Sequence, residues 1–142
     1  MSFMLFVQDI HRISIFLIVA LLVGCNVQRD QTDASAVASR VHFQMQASDF
    51  AAIYRESAPR FKGVGSESKF ISMMQQMSQE SGLLKKADEI AYQTGIDSNV
   101  GRTHVLLFNL EYEHGHARER MILTRSDSGQ MQLWKLDIDP AN

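Results

Sequence analysis

The sequence of 142 residues contains a single cysteine, Cys25, and carries little excess charge of either sign. With one cysteine, the chain cannot form an intrachain disulfide. Its formal net charge is −2, and Asp9 and Arg12 cancel each other near the N-terminus. A nucleic-acid surface needs a basic excess to neutralise phosphates, so this balance argues against one. The length suits one domain.

Several motifs of known chemistry are also missing. The chain has no Gly-x-Ser-x-Gly nucleophile turn, no glycine-rich phosphate or dinucleotide loop and no paired-cysteine site. Tandem repeats are absent as well. The sequence therefore indicates no particular reaction and no cofactor, and it favours a non-catalytic domain.

No apolar run reaches the length of about 20 residues that a membrane-spanning helix needs. Residues 13–24 form an apolar segment of 12 residues without a charge, and His11 and Arg12 precede it. That length is typical of the core of a signal peptide. The alternative is an uncleaved N-terminal anchor helix with an incidental cysteine.

This segment ends in the residues Leu22-Val23-Gly24-Cys25, which resemble the lipobox of bacterial lipoproteins. The resemblance implies that residues 1–24 are a signal peptide, cut between Gly24 and Cys25. It also implies that Cys25 is acylated, with palmitate-type chains, and anchors the protein to a membrane. Two or three acyl chains hold a protein far more firmly than one. At the next position, Asn26 favours the outer membrane, facing the periplasm, because aspartate there favours the inner membrane of enteric bacteria.

The chain behind the leader divides into a tether and a domain. Residues 25–33 hold the lipidated N-terminus and a polar stretch without periodicity, which predicts a short tether. We assign residues 34–142 to a folded α+β domain. Its first helix is capped by Thr32 or Asp33, and its apolar residues recur at helical spacing: Ala34, Val37, Ala38, Val41 and Met45.

Two more helical patterns follow. Ser48 can cap the second helix, and Pro59 ends it. Ser66 can cap the third, which stops at Gly82. One face of this third helix carries Phe70, Met73, Met74 and Met77, with Met74 at the margin of the stripe. Core packing of these methionines is favoured over an adaptable binding face.

After Gly82 the apolar period changes from 3.6 to 2 residues. This predicts four strands, over residues 84–94, 102–113, 117–125 and 130–138. Short turns join them, at His114-Gly115-His116 and at residues 126–129, so the strands should be antiparallel. Helices that precede such a sheet predict an α+β fold, with the N-terminal helices packed on a four-stranded antiparallel sheet.

Three local segments carry a further resemblance. They are residues 47–54 (Ala-Ser-Asp-Phe-Ala-Ala-Ile-Tyr), 58–61 (Ala-Pro-Arg-Phe) and 129–136 (Gly-Gln-Met-Gln-Leu-Trp-Lys-Leu). Their arrangement resembles the cystatin-like or nuclear-transport-factor-2-like α+β cone, which implies that fold over roughly residues 34–138. The resemblance carries no catalytic residues, because members range from enzymes to binding domains. The expected inward positions indicate a filled core: Leu106, Phe108, Leu110, Trp134 and Leu136.

Two groups of titratable residues are candidate sites. His114 and His116 form a His-x-His pair that can bind zinc or copper, but a polar hairpin turn around Gly115 is the favoured interpretation, so we predict no metal. His104 and Tyr112 share a strand face and offer acid–base chemistry in a cone pocket. A histidine at a strand start is more often a boundary residue with its hydrogen bonds satisfied.

One face of the third strand is predicted to be charged, at residues 118–120. Arg118, Glu119 and Arg120 alternate in charge, which predicts a solvated outer face.

The leading hypothesis for the function is a lipid-anchored cell-envelope domain that binds a protein or peptide without catalysis. The alternative is a small-ligand-binding or weakly catalytic cone pocket that uses His104 and Tyr112, and Trp134 is a third candidate binding residue.

Overall fold

The computed structural model describes residues 28–141. By its contacts the chain divides after Thr32, and the domain that carries the sheet begins at Asp33. Before that point, residues 28–32 are helical, and the Thr32 hydroxyl donates a hydrogen bond to the carbonyl of Gln28 at 3.0 Å. No helix within residues 28–141 is both long and apolar enough to cross a membrane.

The lipobox prediction concerns residues that precede this range. Gly24, Cys25 and Asn26 lie outside the described residues, as does the whole predicted leader.

Within the described residues, the fold is α+β, as predicted, with helices that precede a four-stranded antiparallel sheet. The helices are α1 (residues 28–46), α2 (Phe50–Glu56), α3 (Pro59–Gly63) and α4 (Glu67–Ser81). The strands are β1 (Leu84–Asp97), β2 (Gly101–Tyr112), β3 (Gly115–Arg125) and β4 (Met131–Pro140). Their spatial order is β1-β2-β3-β4, so each strand pairs with its neighbour in sequence.

Helix boundaries differ from the sequence predictions in α1 and α2, and the short helix α3 was not predicted. Residues 28–33 are helical, so the prediction that α1 starts at a cap on Thr32 or Asp33 is wrong. Asp49, not Ser48, caps α2: its carboxylate accepts a hydrogen bond from the Ala52 N–H at 3.1 Å. Pro59 does not end α2. It occupies the first turn of α3, where its missing N–H is not needed.

The last helix begins and ends as predicted. The Ser66 hydroxyl accepts a hydrogen bond from the Lys69 N–H at 3.3 Å, and Gly82 closes the C-terminus with a φ of 77°. The assignment of its methionines was reversed. Met74 is buried at 1% exposure, whereas Met73 is 57% exposed. Phe70 and Met77 pack against the core from the edge of α4.

One face of the sheet and the apolar side of α1 form the core. On β2 the two-residue period places Leu106, Phe108 and Leu110 on this face, as predicted, and all three are buried. From α1 the predicted apolar stripe reaches the same cluster, which contains Ala34, Val37, Ala38, Val41 and Met45. Burial of such side chains contributes about 1.5–3 kcal/mol for each large one.

Irregularities in register affect both outer strands. The pairing of β1 with β2 shifts between Leu84 and Lys86 and again between Glu89 and Ala91. On β4 the register shifts where Ile122 and Leu123 of β3 pair with Lys135 and Leu133. Trp134 lies within this bulge, so the predicted alternation that placed Trp134, Leu136 and Ile138 on one face is wrong. Leu133 takes the core position instead.

Candidate functional site

A cleft of about 480 Å³ lies between α4 and the adjoining parts of β3 and β4. Its apolar walls come from Phe70, Met73 and Met77 on α4 and from Leu136 and Ile138 on β4. The helical spacing on α4 and the alternation on β4 explain why these side chains converge. Because Met73 is more than half exposed, the cleft is lined in part by flexible apolar surface that a partner can reach.

The rim of the cleft carries acidic side chains. Glu80 stands at the end of α4, and Asp137 and Asp139 stand on β4. Asp137 contacts Lys135 Nζ at 2.7 Å and Arg120 Nη1 at 3.9 Å, so its charge is partly compensated. Glu80 accepts a hydrogen bond from the neutral side-chain amide of Gln76, through Nε2, at 3.0 Å.

Tyr112 forms part of the cleft wall at the end of β2. Its side chain is buried, and its hydroxyl has no hydrogen-bond partner among residues 28–141. Burial raises the pKa of the Tyr112 hydroxyl, and the negative charge of Glu119 raises that pKa further. The hydroxyl is therefore neutral at physiological pH and can both donate and accept a hydrogen bond.

A buried ionisable pair, His42 and Glu119, lies on the sheet face that also carries Tyr112. Glu119 Oε2 on β3 is 2.5 Å from His42 Nε2 on α1, and both side chains are buried. With the carboxylate ionised, the His42 Nε2–H donates this hydrogen bond. The His42 ring stands edge-on to Phe108, with ring centroids 4.6 Å apart. The other carboxylate oxygen, Glu119 Oε1, is buried without a hydrogen-bond partner in the described part of the chain.

The predicted outer face on β3 is therefore wrong at one position. Arg118 and Arg120 are exposed, but Glu119 is only 1% exposed. The signal was present in the sequence, since Glu119 has the same parity as the core residues Met121 and Leu123. His42 was missed for a similar reason: it lies one helical turn from Ala38, within the apolar stripe of α1.

The structure does not bring His104 and Tyr112 together. They are eight residues apart on one strand, which separates their backbones by roughly 27 Å. His104 is buried, and its Nδ1 is 2.8 Å from the hydroxyl of Tyr92, with the two rings stacked. Neither His104 nor His42 lines the cleft. A joint acid–base role for His104 and Tyr112 has no geometric support.

Trp134 lies on β4 and contacts α3. The guanidinium carbon of Arg60 on α3 is 5.1 Å from the centre of its ring, a cation–π contact. Its indole nitrogen is buried and has no hydrogen-bond partner among the described residues. Trp134 is not part of the cleft wall.

The His-x-His pair lies at the β2–β3 hairpin. The turn comprises Glu113 and His114, while Gly115 and His116 already belong to β3. Both histidines are exposed, and His116 borders the cleft. Within residues 28–141, no group of three or more histidine, cysteine, aspartate or glutamate side chains is arranged to hold a metal ion.

No protein-family model matches the chain, and no curated protein matches it significantly.

Proposed function

We propose that this protein is a lipid-anchored domain of the bacterial cell envelope that binds a protein or peptide partner in the cleft between α4 and β4, without catalysis. The observation that carries the binding role is the cleft itself. Its walls combine exposed, adaptable apolar side chains with a polar rim, which is the usual composition of a recognition site. The two buried pairs, His42 with Glu119 and His104 with Tyr92, do not line this cleft.

The anchor rests on the sequence. The segment Leu22-Val23-Gly24-Cys25 resembles a lipobox, and acylation of Cys25 would hold the domain at a membrane. Asn26 favours the outer membrane with the domain in the periplasm. The order of helices before an antiparallel sheet supports the further assignment to a small cystatin-like or nuclear-transport-factor-2-like domain.

Site-specific photocrosslinking in cells tests the binding role. A photoreactive amino acid replaces Met73, in the cleft wall, and separately replaces Ile96, which is 90% exposed at the end of β1. We expect a discrete crosslinked adduct from position 73 and none of the same mass from position 96. The absence of any reproducible adduct at position 73, or the same adduct from both positions, would refute the proposed binding role of the cleft.

The anchor has its own test. In cells supplied with labelled palmitate, we expect the wild-type chain to incorporate label and the Cys25→Ser variant to remain unlabelled and unprocessed. The domain should stay folded in this variant, because Cys25 precedes residues 33–141 that form the sheet-bearing domain. Lipid labelling of Cys25→Ser would refute the anchor.

A further inference from the structure

We infer that the tip of the β1–β2 hairpin, residues 94–101, rests on the membrane that holds the lipid anchor and inserts Ile96 into the headgroup layer. This inference rests on the proposed anchor at Cys25 and extends it, because it identifies the end of the domain that meets the lipid. Three observations support it: the exposure of Ile96, the place where the chain from Cys25 enters the domain, and the distribution of charge between the two ends of the sheet.

Ile96 projects from the hairpin with little covering it. The residue is 90% exposed, the highest value for a large apolar residue within residues 28–141. Val100, on the other side of the turn, is also partly exposed. Asp97 is the only charged residue of the tip, and its carboxylate accepts a hydrogen bond from the Asn99 N–H at 2.8 Å. Branched apolar side chains on an almost uncharged turn are stabilised when they leave water for the boundary between headgroups and acyl chains.

The chain from the anchor enters the domain at the same end of the sheet as this tip. Ile96 pairs with Arg102 on β2. In the β2–β3 pairing, the residue after Arg102 lies opposite the residue before Arg125, so Ile96, Arg102 and Arg125 form one row across the sheet. Arg125 Nη2 is 2.6 Å from Oδ2 of Asp33, the first residue of the sheet-bearing domain. The entry point and the tip therefore belong to one row of side chains.

The length of chain between the anchor and this row is short. Asp33 follows Cys25 by eight residues, and an extended chain spans at most about 3.6 Å per residue, so this segment reaches no further than about 29 Å. From Arg125 to Ile96 the row adds two strand spacings of about 4.8 Å each. The other end of β1, at Leu84, lies roughly 40 Å further along the strand. An acylated Cys25 therefore holds the Ile96 end of the sheet nearer to the membrane.

The far end of the sheet has the opposite character. Glu113 in the β2–β3 turn forms an ion pair with Lys85 at 2.8 Å. Several more titratable side chains are exposed around this turn: Glu111, His114 and His116. Charged groups are costly to move out of water, so this end is suited to solvent and the tip at residues 94–101 is suited to the lipid surface.

Photocrosslinking to lipid tests this orientation. The processed full-length lipoprotein is reconstituted into vesicles of phosphatidylethanolamine and phosphatidylglycerol, with a photoreactive amino acid in place of Ile96 or, as the control, of Leu83. Leu83 is also exposed and apolar, but it directly precedes β1, at the far end of the strand. We expect at least about fivefold more lipid adduct at position 96, measured by mass spectrometry, because only this end reaches the headgroup layer.

A pair of substitutions separates insertion of Ile96 from mere proximity to lipid. With the photoreactive amino acid at position 98, Ile96→Asp should lower the yield of lipid adduct several-fold, because a carboxylate is costly to move out of water. Leu83→Asp makes the same chemical change at the far end of β1. It should leave the yield at position 98 within about twofold of the unsubstituted chain, because it lies roughly 40 Å from the tip.

Equal yields of lipid adduct at positions 96 and 83, or an unchanged yield in Ile96→Asp, would overturn the inference. Palmitate labelling of Cys25 distinguishes this result from failure of the anchor. If Cys25 takes up the label but position 96 gives no excess of lipid adduct, the anchor stands and only the orientation is wrong. If Cys25 takes up no label, the anchor and the orientation fall together. A lipid adduct at position 96 differs in mass from a partner adduct at position 73, so position 96 stays a valid control for the cleft.

Discussion

Glu119 on β3 and His42 on α1 meet inside the domain, with Oε2 of the glutamate 2.5 Å from Nε2 of the histidine. His42→Leu would leave the carboxylate buried without this partner. Loss of one member of a buried pair costs about 3–5 kcal/mol of folding free energy. The double variant His42→Leu/Glu119→Leu also removes the unpaired buried carboxylate. It should therefore be more stable than His42→Leu alone, as measured by urea unfolding.

An exposed ion pair provides the control for the variants of the buried pair. Arg40 Nε is 3.0 Å from Glu56 Oε2, and both side chains are about half exposed. Arg40→Leu should change the free energy of unfolding by less than about 1 kcal/mol. If His42→Leu costs no more than Arg40→Leu, the buried pair contributes nothing beyond a surface contact.

Gly82 joins α4 to β1 in a conformation that a side chain would strain. Its φ is 77°, and a Cβ there would lie 2.6 Å from Glu113 Cβ. Gly101 has the same φ, but a Cβ there would meet nothing within 4 Å. We expect Gly101→Ala to cost about 1–2 kcal/mol from backbone strain alone. Gly82→Ala should cost clearly more in thermal unfolding, and equal costs would contradict the close approach to Glu113.

Asp49 and its neighbour Ser48 have different roles at the start of α2. Asp49 accepts a hydrogen bond from the Ala52 N–H, whereas Ser48 has a left-handed φ of 56°. Asp49→Ala should lower the free energy of unfolding by about 1 kcal/mol. Ser48→Gly should be neutral or stabilising, because glycine adopts positive φ without a steric penalty. The opposite pattern in chemical denaturation would restore Ser48 as the cap.

The lowered pKa of Glu113 predicts a contribution to folding stability that depends on pH. Its hydrogen bonds with Lys85 and with the Leu83 N–H lower the pKa of its carboxyl below the ordinary 4.5. A lowered pKa in the folded state adds stability above pH 4.5, which is lost as the pH falls through the folded value. Glu113→Gln should therefore have a lower Tm than wild type at pH 7 but not at pH 2.

The exposed Glu111, near the same end of β2, offers the control. Glu111→Gln also removes one negative charge but should leave the pH dependence of Tm close to that of wild type. A Tm difference between Glu113→Gln and wild type that persists undiminished at pH 2 would show that the ionised carboxylate is not responsible.

The order of helices before strands and the core face of β2 were predictable because their signals are local, whereas the five-residue helix α3 is too short to show a period. The change of apolar period after Gly82 located the sheet, and alternation from Leu106 to Leu110 identified the buried side of β2. The bulge at Trp134 was not predictable, because a register shift depends on the pairing with β3 and leaves no period in β4 itself. The helical residues 28–33 are polar and have no apolar stripe to reveal them.

Only part of the candidate site could be predicted from the sequence. Tyr112 is a predicted site residue that does line the cleft, but its predicted partner His104 does not, because equal strand parity places two side chains on one face without bringing them close. The cleft depends on α4 lying beside β4, and the residues that form it, such as Met73 and Ile138, are far apart in sequence. The charge of Glu119 predicts an exposed side chain, whereas its parity with Met121 predicts the buried position that it occupies.

The two register shifts in β1 have a consequence for self-association. In the described part of the chain β1 is an edge strand, and an edge of 14 residues is long enough to template pairing with another molecule. The shifts bend this edge, and charged side chains crowd its first half: Lys85, Lys86, Asp88 and Glu89. Together these features oppose edge-to-edge aggregation, which keeps two copies of this chain from joining their sheets into one.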